Sequence, residues 1–590
     1  MIARLLLKRV DVAVLGSGAA GLLAATEAAI HGARTVVLTK GQVGRSGATA
    51  TITGDISVDG ATIKRLGLAG NAADSVEQFY QDTLAGGAQL NDPVLAEAMV
   101  EGVGAEVGLL LEAGLKVSGI GHAPGHRYPR GVLVSGMQML QILTRNAIKA
   151  GVLFRDEFYA TDILVGSDGA AAGIAGIDLR SGCPAGVEAA SVVLATGGGA
   201  MAYPITTAPE ELVGDGYRMA FEAGAELIDM EMVQFLPCCL VDPPLWRGIQ
   251  FPWIIGPQSG TRAWLLNRYG ERFMARYDPE RMEMSTRDIV SIACVREVLE
   301  GRGGPAGGVF MSWAHLPRDI LDFLPQWYGK PLLHANWRWE GFDFAPLIER
   351  IRSGYAVEVA PASHFHMGGV RIGALGETRV PGLFACGEVA GGVHGANRLS
   401  GNACSQILVQ GRRTGRAAAV QAKNGSATLS GAIWDQFVER VERPLTLRNG
   451  VAPHEIMKRI QTIAKKALNV VRTGDDLREA LEDIRDIRNQ HLPSLTASSN
   501  DRPYNRGWID AIEVRGAALT VEAIALSALE RRESRGAHFR TDFPTKDERF
   551  LANSALSSVD GAPAHRLLPV SRKMPDEHAT AENCCMRPVG

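Results

Sequence analysis

The residues best placed to do chemistry fall in glycine-centred stretches. Gly16-Ser17-Gly18-Ala19-Ala20-Gly21 fits G-x-G-x-x-G, between the apolar run Asp11–Leu15 and the Ala-rich run Gly21–His31. In that setting Gly16 permits a tight turn, Gly18 lets a pyrophosphate approach the backbone, and Gly21 lets helix and strand pack closely. Ala19 and Ala20 open the helix, whose N-terminus favours phosphate charge. The acid that usually binds a ribose at the end of the second strand is missing, and Thr39 and Lys40 stand there. That weakens an NAD assignment. Two further strand-then-glycine units, Ser191–Ala200 with Ala195-Thr196-Gly197 and Val380–Gly392, point to a longer ligand, FAD, gripped by several parts of one sheet. Asp215, inside Gly214–Gly216, is either a carboxylate for a ribose hydroxyl or a turn aspartate. The run Gly41–Asp55 has few side chains large enough to build a core. We read Ser46, Gly47, Ala48, Thr49, Gly54 and Asp55 as a wrap around the cofactor, made of backbone amides and small hydroxyls, Thr51 among them.

These residues need a scaffold, and the hydrophobic pattern supplies one. Asp11–Leu15, Gly21–His31 and Arg34–Leu38 form a βαβ unit, the start of a doubly wound parallel sheet. The fold class expected is α/β. A Rossmann-like FAD-binding domain (1–230 and 356–424) holds an inserted α+β capping domain (231–355), and a C-terminal helical domain (425–545) and a tail (546–590) follow. The cap is marked by composition, because seven of the nine tryptophans lie between Trp246 and Trp339. In the helical domain Thr473 and Asp476 resemble a capping box, followed by Leu477, Leu481, Ile484 and Ile487 at helical spacing. Leu519–Arg532 reads as a second helix, and the tail shows little periodicity.

Bulk composition excludes several function classes. The 590 residues carry 61 Lys+Arg against 64 Asp+Glu, a net charge of −3 that gives no reason to expect nucleic acid or an anionic membrane as partner. None of the eight cysteines forms a C-x-x-C pair, so a metal or redox-dithiol site has little support. Scattered thiols fit a reducing cytoplasm, and no apolar stretch approaches the ~20 residues of a spanning helix. A cytoplasmic protein is expected, with any inner-membrane association made through a partner.

The motifs "GSGAAG", "LTKGQVGRSGA", "LATGGG", "GDGYRMAFEAGAELIDMEMVQF", "ERFMARY", "TRDIVS", "HFHMGG", "GLFACGE", "HGANRLSGN" and "ERRESRGAHFRTDFP" occur in this order over about residues 10–545. Their combination resembles the flavoprotein subunit of the succinate dehydrogenase/fumarate reductase family, which includes L-aspartate oxidase and is related to adenylylsulfate reductase. The resemblance implies FAD and a small organic acid held between flavin and cap. It also implies hydride exchange between flavin N5 and a substrate carbon, with a proton exchanged at the neighbouring carbon. Glu388 matches the family's ribose-binding glutamate, while Gly401, Asn402, Ala403 and Cys404 match the backbone segment near the isoalloxazine. His364 and Arg398 match the pair that holds one substrate carboxylate, and Arg398 also lies within reach of the cofactor. Arg287 matches the proton-transferring arginine, with an ion pair to Asp288 as its purely structural reading. Respiratory members dock an iron–sulfur subunit, so an electron-transfer partner is an open expectation.

The chain departs from the family at one end of the substrate site. Leu236 stands where a substrate-binding histidine is expected, and an ungapped alignment puts Ile255 and Gly256 on the family's Thr-Glu pair and Ser259 on its relay arginine. A shifted alignment would instead bring in Glu271 and Arg272. Leucine and isoleucine cannot bind an anion, so this end is expected to accept an apolar or bulky group. His366 is a candidate to take over proton transfer. Gly47 occupies the position where membrane-bound members carry the histidine bonded to FAD, so a non-covalent cofactor is expected. The leading reading is an FAD oxidoreductase acting on a carbon next to an acidic group, other than succinate or fumarate. Alternatives are an amine or amino-acid oxidase, an adenylylsulfate reductase-like enzyme, and a flavin-binding electron carrier.

Overall fold

The structure is a computed structural model that describes residues 5–251, 254–255, 261–322, 345–425 and 431–570. Its central sheet runs Leu153–Arg155, Thr35–Leu38, Leu5–Leu15, Cys183–Leu194, Ala171–Asp178, Phe158–Val165, with Leu383–Ala385 also paired to Cys183–Leu194. The first four strands are parallel and the last two antiparallel. Leu383–Ala385 joins in parallel through Leu383↔Val192, so the three strand-then-glycine units do share one sheet. Val12, Val14, Val36, Val37, Val192 and Val193 are buried, as strands covered on both faces require. Helices Ala19–Ile30 and Asn402–Ala422 pack together on this sheet. Gly411 and Gly415 allow the contact, since a Cβ on either would lie under 3 Å from the backbone of Ala20 or Ala24.

The cap is built on a four-stranded antiparallel sheet, Val233–Leu240, Val357–His366, Val309–Ser312 and Trp264–Leu266. Strand Val357–His366 lies in the stretch whose sequence reads as returning to the FAD domain, yet it pairs inside the cap sheet. The cap strands therefore end directly over the cofactor domain. Helix Arg287–Leu299 packs against Val233–Leu240.

After helix Gly431–Thr446, three C-terminal helices pack together, Pro453–Ala467, Gly474–Asp486 and Arg506–Glu530. Thr473 caps the second, its hydroxyl accepting from the Asp476 amide at 3.1 Å, and Leu477, Leu481, Ile484 and Ile487 are buried. Ala552–Val559 and Ala562–Pro569 form a β-hairpin that continues a sheet through Leu227–Ile228. In sequence this stretch reads as tail. Its polar alternation is weak, and pairing comes from a strand more than 300 residues upstream. Asp229 pins the hairpin, accepting from Asn553 Nδ2 at 2.6 Å and the Ser554 amide at 2.9 Å.

Candidate active site

The glycine cradle has the form a dinucleotide needs. Gly16 sits at φ +104°, and a Cβ there would lie 2.2 Å from the Ala195 carbonyl oxygen, which no larger residue tolerates. Gly18 precedes helix Ala19–Ile30 with no side chain capping it, and a Cβ there would meet only Thr49 Oγ1, at 3.4 Å. Amides at this end thus face open space, apart from Ala19 N–H, which donates to Thr49 Oγ1 at 3.1 Å. Helices Asp215–Glu222 and Asn402–Ala422 likewise begin after Gly214 and Gly401 without side-chain caps. Around them Thr196 Oγ1, Asn402 Oδ1, Arg398 Nε and both ring nitrogens of His366 are buried without a hydrogen-bond partner. Buried polar atoms are seldom left so, and FAD hydroxyls, phosphates and ring edges fit this set.

Around Lys40 and Asp215 the structure supplies a partner that sequence did not flag. Lys40 Nζ donates to Asp215 Oδ2 at 3.0 Å and to Glu513 Oε1 at 3.2 Å, and Tyr159 donates to Asp215 Oδ1 at 3.0 Å. Glu513 comes from the C-terminal helical domain, 473 positions from Lys40. Ser46 Oγ is turned to the Gln42 carbonyl at 2.8 Å, and Gly47 lies at φ +84°, ψ 171°. That backbone region is essentially restricted to glycine. Glu388 accepts from the His366 amide at 3.1 Å, and burial pushes its carboxyl up to about 7.

The substrate side converges on Gln234. Its Oε1 accepts from Arg287 Nη1 and from Arg398 Nη2, both at 3.0 Å, while its Nε2 donates to Asn397 Oδ1 at 2.9 Å and the Arg398 carbonyl at 2.7 Å. One amide therefore holds two guanidinium groups side by side. Burial and the neighbouring Arg398 lower Arg287 to about 9, and burial lowers Arg398 as well. Arg398 also lies over the Phe365 ring at 4.6 Å. Asp288 accepts from Asn397 Nδ2 at 3.0 Å, so Arg287 is held by uncharged partners rather than by its neighbour.

His364 and His366 part company. The pairing of Val233–Leu240 with Val357–His366 slips between Gln234↔Phe365 and Phe235↔Ser363, leaving His364 as the bulged residue. His364 Nδ1 is 2.7 Å from Thr207 Oγ1, and burial together with Arg287 and Arg398 holds the ring far below its ordinary pKa. It is therefore a neutral hydrogen-bonding group. His366 is stacked on Tyr217, 5.9 Å between centroids, and burial lowers it to about 4. The bulge leaves His364 beside Arg287 and Arg398, while the His366 ring lies on Tyr217.

Leu236, expected at the opposite end of the site, is fully buried in an apolar cluster with Cys239, Ala362 and Ile205. Ile255 pairs with Thr261 in a short ribbon. Its side chain, with Gly256, Ser259 and Trp253, lies outside the described residues. The residues a shifted alignment would supply are engaged elsewhere. Glu271 accepts from Asn267 and Arg276, and Arg272 forks onto Glu283 at 2.9 and 2.5 Å. Sequence reasoning missed Thr207, which carries no motif signal, and passed over Gln234 and Ser400, although both lie inside the quoted motifs "GDGYRMAFEAGAELIDMEMVQF" and "HGANRLSGN".

Comparison with known proteins agrees with this arrangement. The FAD binding domain family model matches residues 11–404, and the fumarate reductase flavoprotein C-terminal model matches residues 457–575. A CoM/CoB fumarate reductase subunit of Methanothermobacter marburgensis is 34% identical over 544 residues, covering 90% of this chain and 94% of that protein. L-aspartate oxidase of Streptomyces coelicolor is 32% identical, covering 91% and 89%. The FrdA chain of Escherichia coli quinol fumarate reductase superposes with a TM-score of 0.84 at 25% identity, covering 98% and 99%. The FAD fold, cap and C-terminal domain are those of that flavoprotein, and the chain is an FAD-dependent oxidoreductase. Among the described residues no helix is long and apolar enough to cross a membrane.

Proposed function

Since the chain belongs to the fumarate reductase/succinate dehydrogenase flavoprotein family, we propose that it oxidises or reduces a carbon–carbon bond adjacent to a single acidic group whose far side is apolar. The observation that carries this reading is the asymmetry about Gln234. Arg287 and Arg398 share its Oε1, whereas Leu236, two residues along the same strand, is buried among Ile205, Cys239 and Ala362. Two guanidinium groups facing one carboxylate, Asp55, with His364 neutral, leave about one positive charge, which suits one anionic group. A second carboxylate against Leu236 would be desolvated without a partner, at a cost of several kcal/mol.

FAD, when bound, supplies the hydride chemistry. The protein's part is positional. Arg398 forks onto the substrate anion, because a guanidinium binds a carboxylate through two parallel N–H bonds. His364, its ring fixed by Thr207, donates a further hydrogen bond. Arg287 moves the proton at the carbon beside the one that exchanges hydride. Gly16, Gly18, Ala19, Ala20, Gly21, Ala195, Thr196, Gly197, Glu388 and the segment Gly401–Cys404 hold the cofactor.

The test is anaerobic titration of the holoprotein, following the flavin bands. Crotonate and cinnamate are expected to reoxidise dithionite-reduced protein, or butyrate and 3-phenylpropionate to bleach the oxidised form, ahead of fumarate and succinate. Faster reaction with fumarate or succinate sinks the apolar-wall argument. A second reading, oxidation of an amino acid, is supported by the L-aspartate oxidase relative and by the Asp55 carboxylate near the arginines. Bleaching by L-aspartate alone would favour it. Several relatives are named as subunits, which supports a partner protein that exchanges electrons with the flavin.

We also read the cofactor as non-covalent, because glycine stands at position 47, where the linking histidine is expected, and its backbone at φ +84°, ψ 171° disfavours any residue with a side chain. Acid precipitation should release all the yellow colour into the supernatant, and flavin fluorescence left in the washed pellet would refute this.

A further inference from the structure

Arg287 has a second neighbour that the family resemblance does not assign. Its Nη2 donates to Ser400 Oγ at 3.0 Å, and Ser400 Oγ–H donates to Asp55 Oδ2 at 2.8 Å. Ser400 is held for this task. Its carbonyl accepts from Ser57 Oγ at 2.8 Å and from His126 Nε2 at 2.9 Å. Arg130 Nη1 lies 3.3 Å from His126 Nδ1 and must donate there, so the His126 proton sits on Nε2. Burial keeps that ring neutral, with its pKa down at about 4. Arg130 is itself locked by Asp74 and Asp82 at 2.6 Å each. Three layers of hydrogen bonds thus fix one hydroxyl between a guanidinium and a carboxylate.

We propose that Asp55 and Ser400 form the proton path to Arg287, taking the place of the acid–arginine relay whose positions fall on Gly256 and Ser259. This rests on the reading of Arg287 as the residue that moves the substrate proton. Asp55 and Ser400 are both half-buried, so neither is sealed in the core. In the reducing direction reduced flavin is the two-electron donor, giving hydride to one substrate carbon. Arg287 gives a proton to the adjacent carbon, and the C=C bond becomes C–C. Asp55, a carboxylate at rest, takes a proton from water and passes it to Ser400 as the Ser400 hydroxyl proton moves to neutral Arg287. One water proton is consumed per double bond reduced, and every relay group returns to its starting state. Dehydrogenation runs the same path outward.

The charges facing the path are few. Arg287 faces Arg398, Asp55 and Cys239, with His364 beyond it. Asp55 faces Arg287, Arg398, His126 and Cys404. Removing the Asp55 charge leaves Arg398 unopposed beside Arg287, so the Arg287 pKa must fall.

The experiment compares D55N, D55E, S400A and S400T with wild-type holoprotein, each checked for FAD content. Reduced protein is mixed with crotonate and cinnamate across pH in H2O and D2O. D55N and S400A should slow reoxidation by about tenfold or more and enlarge the solvent isotope effect. In D55N the alkaline limb should also move below its wild-type position near pH 9. D55E and S400T should recover part of the rate. An unmoved limb and isotope effect, or a loss confined to KM for amino acids, overturns the relay. If neither acid reoxidises wild type, the function reading fails, and the relay is then decided without substrate. Carbon-13 NMR of Cζ-labelled arginine, with R287K identifying the signal, should show the Arg287 midpoint lowered in D55N. An unchanged midpoint with full FAD content overturns the coupling.

Discussion

Replacing Arg287 by alanine should lower turnover by about 10²–10⁴ while the protein keeps its FAD, the range expected when a positioned acid or base is removed. A free guanidinium, with a pKa above 12, is a poor acid. Here the burial of Arg287 at the start of helix Arg287–Leu299, beside Arg398, brings it to about 9, within reach of proton transfer. The sign for pH follows. Substrate reduction needs protonated Arg287, so its rate holds through neutrality and falls as pH rises past about 9. Dehydrogenation needs the neutral form and rises over the same interval. R287K keeps a charge but cannot reach Gln234 and Ser400 together, because it lacks the fork. Stopped-flow reoxidation of the flavin checks all three statements. Wild-type turnover in R287A, with the limb near pH 9 intact, would assign the proton to another group.

The parts of this enzyme that depend on backbone are readable from sequence, and the parts that depend on distant side chains are not. Gly16 and Gly21 announce themselves because their spacing and flanking hydrophobic runs are local properties. The capping box at Thr473 and its buried row Leu477, Leu481, Ile484 and Ile487 are legible for the same reason. Gln234 and Ser400 are ordinary polar residues until the fold brings them to Arg287, 53 and 113 positions away. Both sit inside quoted motifs, but the motifs do not say which side chain meets which. The histidine pair shows the same limit. Period-2 alternation puts His364 and His366 on one face of a regular strand, and the bulge that separates them arises from pairing with Phe235 and Gln234. Asp215 reads in sequence as either a ribose ligand or a turn residue. It opens a helix, tied to Lys40 and Tyr159, which lie 175 and 56 positions away in sequence.

Arg398 gives the second large effect, and its direction separates substrate from cofactor roles. R398A should weaken binding of crotonate by about 2–4 kcal/mol, roughly 30- to 900-fold, because a buried charged hydrogen-bond pair is broken. FAD content should stay near the wild-type level, since Gly16, Gly18, Thr196 and Asn402 remain in the cradle when the single Arg398 Nε group is lost. Loss of flavin instead would make Arg398 a cofactor residue. The same substitution acts on Arg287 through charge. Arg398 is the like charge that lowers Arg287, so its removal should move the alkaline limb of reduction above about pH 9. Removing Asp55, the opposite charge, should move that limb below it. Two single substitutions a few residues apart in space thus shift one titration in opposite directions. A general loss of structure would collapse both limbs alike, whereas opposed shifts require that Arg287 itself be the group that titrates.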